Sequence, residues 1–286
     1  MSEIVEYAII ALVYRNADDL AAFVVNAKEK IKSCRIVIVD SFYSEETSNE
    51  IKRIAELNGC DYLRVENRGY GAGNNAGISY ALKTFSFKYL IVCNNDLKID
   101  QFDDSKLTED SVYGPLITTL SGKHQNPLFS IRSRLSEKLL YKGFSTKNKI
   151  DLFTGFAINK LLREINYFIF KHSDKKIEAV HAIHGAFFII SSTLLKSHFS
   201  DGRLFDENMF LYYEEAYMGV LFERIGIPVK LTKEISVTHF EDGSTRGLAD
   251  YNPSKFEASS YQYLFEILYL IFDYPHKHYT FKYFEV

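Results

Sequence analysis

An apolar run at residues 89–93 ends on two oxygen-bearing side chains, Asn94 and Asp96. A short apolar run of this kind is typical of a buried strand, and open α/β sheets bind ligands at the carboxyl ends of their strands. Asn94 and Asp96 alternate in position, so both can face one side. Mg²⁺ and Mn²⁺ are commonly held by one or two carboxylates together with substrate phosphates. The segment predicts a metal–diphosphate site, although an Asn-Asp pair can also simply end a strand in a turn.

A glycine- and asparagine-rich segment, residues 67–77, lies between a strand-like run and a helical pattern. Glycines allow a ligand to approach the backbone, and a helix N-terminus favours phosphate. A dinucleotide fingerprint would instead follow the first strand, with an acidic residue about 20 positions later. A Walker loop would need Gly-Lys-Ser/Thr, which is absent from this segment. Two interpretations of this segment remain, an anion-binding loop and a plain glycine-rich turn.

Two adjacent acidic residues, Glu214 and Glu215, follow an aromatic block at 210–213. A carboxylate within about 2.6–3.2 Å of a hydroxyl can accept its proton as a general base. Aromatic surroundings can also raise the pKa of such a carboxyl group through desolvation. The alternative is a solvated helix N-terminus, where acidic side chains complement the helix dipole.

Strand and helix patterns alternate through the first 100 residues. β-Branched and apolar runs predict strands at 7–13, 35–39, 61–65 and 89–93,. Apolar residues at helical spacing predict helices at 18–31, 45–57 and 74–82,. Repeated β–α units of this length predict a mostly parallel, Rossmann-like sheet flanked by helices.

The composition restricts the class of protein. The chain has 286 residues, 47% of them hydrophobic, which supports a sizeable core,. A net charge of −3 argues against a dedicated nucleic-acid binder,. The three cysteines are scattered singly, which fits free thiols in a reducing cytoplasm better than disulfides or zinc,. Neither a signal-peptide core nor a run of about 18–20 apolar residues is found, so we expect a soluble protein.

Two segments carry apolar residues whose partner the sequence does not decide. Residues 124–180 interleave basic and apolar side chains. This pattern fits an interfacial helix that meets anionic lipid headgroups, or a helical insertion that packs on the sheet with its lysines in water, and we favour the second. The run at 261–272 could pack on the core, contact a second copy in a homodimer, or touch a membrane surface.

Together with five further segments, the glycine-rich segment resembles a family 2 glycosyltransferase of the GT-A fold. The chain is most similar to the rhamnosyltransferase-like branch that acts in bacterial polysaccharide biosynthesis. The matching segments follow one another in the order of the family, at 37–41, 67–77, 94–96, 185–188, 205–215 and 239–244. Any one of these matches is common, but six in order are specific.

The resemblance implies an inverting transfer of a sugar from a UDP- or dTDP-linked donor to a saccharide or lipid-linked saccharide acceptor, with Mn²⁺ or Mg²⁺ as cofactor. It implies that Glu215, or else Glu214, is the catalytic base. The residues implied to bind the nucleotide sugar are Asp40, Asn67, Gly69, Gly73, Asn74 and Asn95. Those implied at the acceptor are His184, Gly185, Ala186 and Asp206. Those implied at the metal are Asp96, Asn94 and His239.

Two departures from the family pattern bear on the chemistry. The metal motif begins with Asn94 rather than Asp, so Asp96 alone supplies negative charge. The second acid of the pair is Glu215 where the family usually has Asp, which leaves the choice of base open. A non-catalytic nucleotide-sugar-binding protein on the same fold is the alternative function.

The resemblance also implies a domain organisation and a location. Residues 1–250 would form the GT-A domain, with a nucleotide-binding half at 1–100 and an acceptor-binding half at 101–250. Residues 251–286 would form a helical C-terminal extension. We expect a cytoplasmic protein, with the inner face of the cytoplasmic membrane as the alternative place.

Overall fold

The computed structural model describes residues 4–15, 17–240, 260 and 263–264. The strands within these ranges are β1 Ile4–Val13, β2 Cys34–Ser41, β3 Asp61–Val65, β4 Ser86–Asn94, β5 Leu97–Phe102, β6 Val112–Thr119, β7 Ile177–Ala179, β8 Phe187–Ser191 and β9 Val229–His239. The helices are α1 Asp18–Lys30, α2 Glu45–Leu57, α3 Tyr70–Thr84, α4 Arg134–Thr146, α5 Lys149–His172, α6 Ser192–His198 and α7 Glu214–Ile225.

All nine of these strands form one sheet in the order β3-β2-β1-β4-β8-β6-β9-β5, with β7 paired to β9. The first four strands in this order are parallel to one another. Beyond β4 the sheet is mixed, because β8 runs antiparallel to both β4 and β6 while β6 and β9 are parallel. The predicted α/β class is confirmed, and the parallel part is the half built from the β–α units.

Helices cover both faces of the parallel half. In β1, Ile9 packs in the core cluster that contains Phe23 of α1, whereas Ile10 packs in the cluster that contains Ile78 of α3. This alternation follows from the two-residue period of a strand. Full burial of such a side chain contributes about 1.5–3 kcal/mol. The strands are therefore held from both sides, and the loops at their carboxyl ends start from fixed positions.

Helix α3 begins at Tyr70, four residues before the predicted start. Its first turns contain glycines that pack closely on the sheet, since a Cβ at Gly73 would lie 2.5 Å from Leu12 Cδ1. Asn74 is fully buried, and its Nδ2 donates to the carbonyl of Tyr70. The reading of residues 67–77 as a loop is wrong beyond Gly69. Gly73 and Asn74 lie in α3, where they bring the helix close to the sheet.

Helices α4 and α5 lie within the basic segment 124–180. They pack closely, because a Cβ at Gly143 would lie 2.7 Å from Leu152 Cγ and one at Gly155 would lie 2.7 Å from Leu140 Cγ. Across the described ranges, no helix combines the length and the apolarity needed to cross a bilayer. The predicted extension at 251–286, including the apolar run at 261–272, lies outside the described residues except for positions 260, 263 and 264.

Candidate active site

The edge where β4 ends carries a buried carboxylate–histidine pair. Asp96 follows β4 and leads directly into β5, whose antiparallel partner β9 ends at His239. The register pairs Leu97 with His239, so the two side chains meet. His239 Nε2 lies 3.2 Å from Asp96 Oδ1, and the two residues are only 7% and 6% exposed. Two segments 143 positions apart thus bring together two of the three predicted metal ligands.

The orientation of His239 fits a cation site. Its Nδ1 lies 2.8 Å from Gln125 Oε1. In the tautomer whose Nδ1–H donates to that oxygen, Nε2 presents a lone pair to Asp96 Oδ1 at 3.2 Å, and a proton or a cation between these two acceptors would stabilise the pair,. A second hydrogen bond of this kind is what fixes a metal-binding histidine.

The number of protein ligands also fits Mg²⁺ or Mn²⁺. Among the described residues, no cluster of three or more His, Cys, Asp or Glu side chains could hold a metal ion. Mg²⁺ is typically bound by one or two carboxylates, with waters and substrate phosphates completing its coordination. Asp96 and His239 would therefore hold the ion, with the half-buried side chain of Asn94 next to them in the chain. The remaining positions would be left to the donor.

A three-residue segment, His184 to Ala186, joins the cation side to the acidic pair. The backbone N–H of Asn94 donates to the carbonyl of Ala186 at 2.9 Å. The ring of His184 lies 6.0 Å from that of His239, and the backbone N–H of His184 donates to Asn126 Oδ1 at 2.7 Å. Three of the four predicted acceptor residues therefore lie directly beside the predicted metal residues.

Glu215 is held by the middle residue of that segment. The N–H of Gly185 donates to Glu215 Oε1 at 3.0 Å, and the hydroxyl of Tyr70 donates to the carbonyl of Gly185 at 2.8 Å. A side chain at Gly185 would collide, since its Cβ would lie 2.8 Å from Glu215 Oε1. Within the described part of the chain, Oε2 of Glu215 has no hydrogen-bond partner. The carboxylate is thus oriented through one oxygen and keeps the other for a ligand.

Glu214 differs from its neighbour in environment. It is buried, and its Oε1 has no hydrogen-bond partner within the described ranges. Burial first, and then the negative charge of Glu215, raise the pKa of Glu214 well above its usual value. Burial therefore favours the protonated form of Glu214, and a protonated carboxyl cannot accept a proton from an acceptor hydroxyl.

We expect Glu214→Gln to stabilise the protein at pH 8 and to have little effect at pH 4.5. A carboxyl whose pKa is raised by folding binds more protons in the folded than in the unfolded chain. The free energy of unfolding therefore falls as pH rises above the unfolded-state pKa of about 4.3. Each unit of upward shift corresponds to about 1.4 kcal/mol, and 1 kcal/mol moves Tm by about 2–4 °C in a chain of this size.

Thermal unfolding of wild type and variant at both pH values measures this difference. Glu50→Gln is a matched control on α2, because Glu50 is exposed. Equal Tm differences at pH 4.5 and pH 8 would contradict a protonated Glu214.

The aromatic block before the acidic pair is under backbone strain. Tyr212 and Tyr213 both have positive φ, 75° and 68°, a conformation that costs a non-glycine residue of order 1–3 kcal/mol,. The block is anchored on the start of α3, where the N–H of Tyr70 donates to the carbonyl of Phe210 at 2.9 Å. Gly69 has φ 103°, and a Cβ there would strike that same carbonyl. Packing against α3 thus holds the turn that aims Glu214 and Glu215.

The predicted donor residues lie at the carboxyl edge of the parallel strands. Asp40 lies in β2 one residue before its end, is buried, and accepts a hydrogen bond from the hydroxyl of Tyr62 at 2.6 Å. Burial, followed by this bond, raises the pKa of Tyr62 to about 12. Asn67 Oδ1 accepts from the N–H of Gly69 at 3.3 Å, and Asn95 is buried next to Asp96 in the chain.

The carboxylate of Asp206 is occupied by hydrogen bonds to Asn208 in its own turn and to Tyr263. Its Oδ1 accepts from the backbone and the side chain of Asn208, and its Oδ2 accepts from the hydroxyl of Tyr263 at 2.7 Å. Because both oxygens are bound internally, Asp206 fixes the turn before α7. We leave it out of the proposed acceptor site, as we leave Gly73 and Asn74 out of the donor site. The predicted match at 243–244 lies outside the described residues.

Four residues that the sequence did not single out belong to this edge. Gln125 and Asn126 orient His239 and His184, and Tyr70 holds Gly185. Arg15 lies two residues beyond the end of β1, with its guanidinium 4.6 Å above the ring of Tyr43. Among these four, only Arg15 could have been predicted from the sequence, by its position just after the first strand. The other three act through partners that are distant in sequence.

Comparisons with known proteins agree with this architecture. The sequence profile of glycosyl transferase family 2 matches residues 8–197, which includes Asp96 and the segment 184–186 but not Glu215 or His239. Over 210 residues, the chain is 27% identical to the low-salt glycan biosynthesis hexosyltransferase Agl10 of Haloferax volcanii. That alignment covers 69% of this chain and 59% of the relative.

Solved structures share the fold. The crystal structure of GalNAc-T7 with UDP, GalNAc and Mn²⁺ superposes with a TM-score of 0.58 at 12% identity, over 92% of this chain and 48% of that one. The chain therefore spans less than two thirds of the length of either relative. The arrangement of a parallel half and a mixed second half is shared with this GT-A structure. By its match over residues 8–197, this chain belongs to glycosyl transferase family 2.

Proposed function

We propose that the chain is an inverting glycosyltransferase that moves a sugar from a nucleotide-diphosphate donor to a hydroxyl of a saccharide or lipid-linked saccharide. The supporting observation is that one short segment links the two groups such a transfer needs. The backbone N–H of Asn94, at the end of the strand that leads to Asp96, donates a hydrogen bond to the carbonyl of Ala186. The N–H of the adjacent Gly185 donates to the carboxylate of Glu215. The proposed cation ligands Asp96 and His239 and the oriented carboxylate of Glu215 therefore lie along one edge of the sheet.

The donor would lie along the carboxyl ends of β1, β2 and β4. Asp40 supplies a buried carboxylate for the nucleoside, and Arg15 supplies a positive charge near the end of β1. The structure of GalNAc-T7, similar in fold, holds UDP and Mn²⁺, which favours a UDP-linked donor. Because the chain also resembles the rhamnosyltransferase-like branch, a dTDP-linked deoxyhexose is the second donor that we propose.

Glu215 takes the proton in this mechanism. The acceptor hydroxyl loses its proton to Oε2 of Glu215 while its oxygen attacks the anomeric carbon from the side opposite the diphosphate, which inverts that centre. Gly185 and Tyr70 hold Glu215 in place, and Glu214 stays protonated beside it. Asp96 and His239 would bind a divalent cation, which when present neutralises the charge of the leaving diphosphate as a Lewis acid.

One observation favours the alternative, a nucleotide-sugar-binding protein without turnover. The metal segment has a single carboxylate, Asp96, because Asn94 stands where an Asp would add a second negative charge. A weaker hold on the cation would leave binding intact while slowing transfer. Binding and turnover therefore have to be measured separately.

A thermal-shift screen of UDP-, dTDP- and GDP-linked sugars with Mn²⁺ tests donor binding. At about 100 times its Kd, a donor adds roughly 2.7 kcal/mol to the free energy of unfolding, and we expect one nucleotide class to do so only with the metal. Release of nucleoside diphosphate in the presence of saccharide acceptors then measures turnover. Stabilisation without release would favour the binding protein, and the absence of stabilisation by any donor would contradict both proposals.

A further inference from the structure

The outward face of α5 carries a row of large apolar side chains in water. This apolar stripe consists of Ile150, Phe153, Leu161, Ile165 and Phe168, which are between 49% and 76% exposed. Their spacing of three, four, seven or eight residues places them on one side of the helix. The opposite side, with Gly155 and Phe170, is buried. At 1.5 Å per residue, the 24-residue helix is roughly 36 Å long, so the stripe extends along most of that length,.

A row of exposed lysines runs along one edge of the stripe. Lys149, Lys160 and Lys171 are spaced eleven residues apart, which is about three helical turns, so they line up on the helix surface,. None of the three forms an ion pair with a described residue. Two acidic residues lie on α5: Asp151 pairs with Lys142 of α4 at 3.1 Å, and Glu164 is held by Arg163 at 2.8 Å and lies 3.2 Å from His124. The three lysines therefore give this edge an excess of positive charge.

The charge of the surrounding segment is opposite to that of the chain. Residues 124–180 contain eleven Lys or Arg and five Asp or Glu, a net charge of +6, whereas the whole chain has a net charge of −3. An apolar face with a basic edge is the pattern of helices that lie in the plane of an anionic membrane surface. A protein partner would not require a stripe of this length, and a second copy would present the same positive charge.

We propose that α5 docks the protein on an anionic lipid bilayer, with the apolar stripe inserted at the headgroup boundary and the lysine row against the lipid phosphates. The sequence alone favoured a helical insertion whose apolar stripe packs on the sheet while its lysines lie in water. The structure changes that preference, because the side of α5 that packs is the side opposite the apolar stripe.

The packed side of α5, opposite the apolar stripe, lies close to the predicted acceptor side of the molecule. Asn159 of α5 and Leu140 of α4 line a common cleft with Tyr213, Ala216 and Val220, and Tyr213 directly precedes α7 with Glu214 and Glu215. A lipid-linked acceptor would then be presented beside the proton-accepting carboxylate. This last step rests on the proposed function, whereas the docking itself does not.

Co-sedimentation of the full chain with vesicles tests the proposal. We expect binding to vesicles of phosphatidylcholine with 30% phosphatidylglycerol, and little binding to phosphatidylcholine alone. Each Lys→Gln change at 149, 160 or 171 should lower the partition coefficient by about fivefold. The double variant Phe153→Ser and Phe168→Ser should lower it by about tenfold or more, since it removes apolar area from the bilayer.

Matched controls lie elsewhere on the surface. Leu57→Ser removes a side chain that is 72% exposed on α2, and Lys83→Gln removes an exposed lysine from α3. Both should bind vesicles as wild type does. Because all the altered side chains are exposed, we expect every variant to keep the wild-type Tm.

Three results would overturn the proposal. The first is that the wild-type protein stays in the supernatant with anionic vesicles at low salt. The second is that the stripe variants bind vesicles as the wild type does. The third is that sedimentation velocity shows a wild-type dimer that the double variant abolishes. The vesicle assay contains no donor or acceptor, so a failure of docking and a failure of glycosyl transfer are seen separately.

Discussion

Glu215→Gln is expected to lower kcat by about 10²–10⁴-fold, the usual contribution of a general base, while donor affinity stays the same. The amide oxygen of glutamine can still accept the hydrogen bond from Gly185, so the segment that Glu215 orients is kept. The amide cannot accept the proton of the acceptor hydroxyl. Steady-state kinetics with saturating donor and a donor-binding isotherm for the same preparation measure the two quantities.

The neighbouring variant Glu214→Gln serves as the matched control. Its carboxyl is buried and its pKa is raised by that burial, so an amide of the same shape should leave most of the activity in place. A loss of turnover in Glu214→Gln as large as that in Glu215→Gln would reverse the assignment of the base.

Asp96→Asn is expected to abolish the cation dependence of donor binding. Asparagine keeps the shape and one oxygen but loses the only negative charge that the segment offers. Loss of an outer-shell partner of a metal site typically costs 10–100-fold in affinity or activity, and we expect loss of this carboxylate to cost more than about 100-fold in Mn²⁺ affinity. Titration calorimetry of Mn²⁺, with and without UDP, measures the effect.

Two further variants separate the metal role of Asp96 from a structural one. Gln125→Leu removes the partner of His239 Nδ1 and should weaken Mn²⁺ binding by about 10–100-fold,. Asp206→Asn changes another buried carboxylate, one bound within its own turn, and should lower Tm without altering Mn²⁺ affinity. A wild-type Mn²⁺ isotherm in Asp96→Asn would show that the cation binds elsewhere or is not required.

The local elements could be predicted because their causes are local. Strand β3 and helix α2 have the predicted bounds, 61–65 and 45–57, since apolar periodicity and flanking polar residues define both. The start of α3 was missed because its first turns contain glycine and asparagine, which show no apolar periodicity. Only the neighbouring strand, with Leu12 against Gly73, shows why those positions are small.

The site could be predicted only where a residue stands at the end of its own strand. Asp96 and Asp40 were found in this way. The contact of His239 with Asp96 depends on the register between β5 and β9, and that of Gln125 with His239 depends on a loop more than 100 residues away. Glu214 and Glu215 are adjacent acids in the sequence, and only the burial of Glu214, which the sequence does not show, favours Glu215 as the proposed base.

The position of β8 has a mechanical consequence. By pairing with both β4 and β6, it makes one continuous hydrogen-bonded layer out of the two halves. Within the described ranges, the halves therefore cannot swing as rigid bodies about a hinge, and closure over bound substrates has to come from segments outside this layer. The spacing between the cation site and the base would be set when the layer folds, not when substrate arrives.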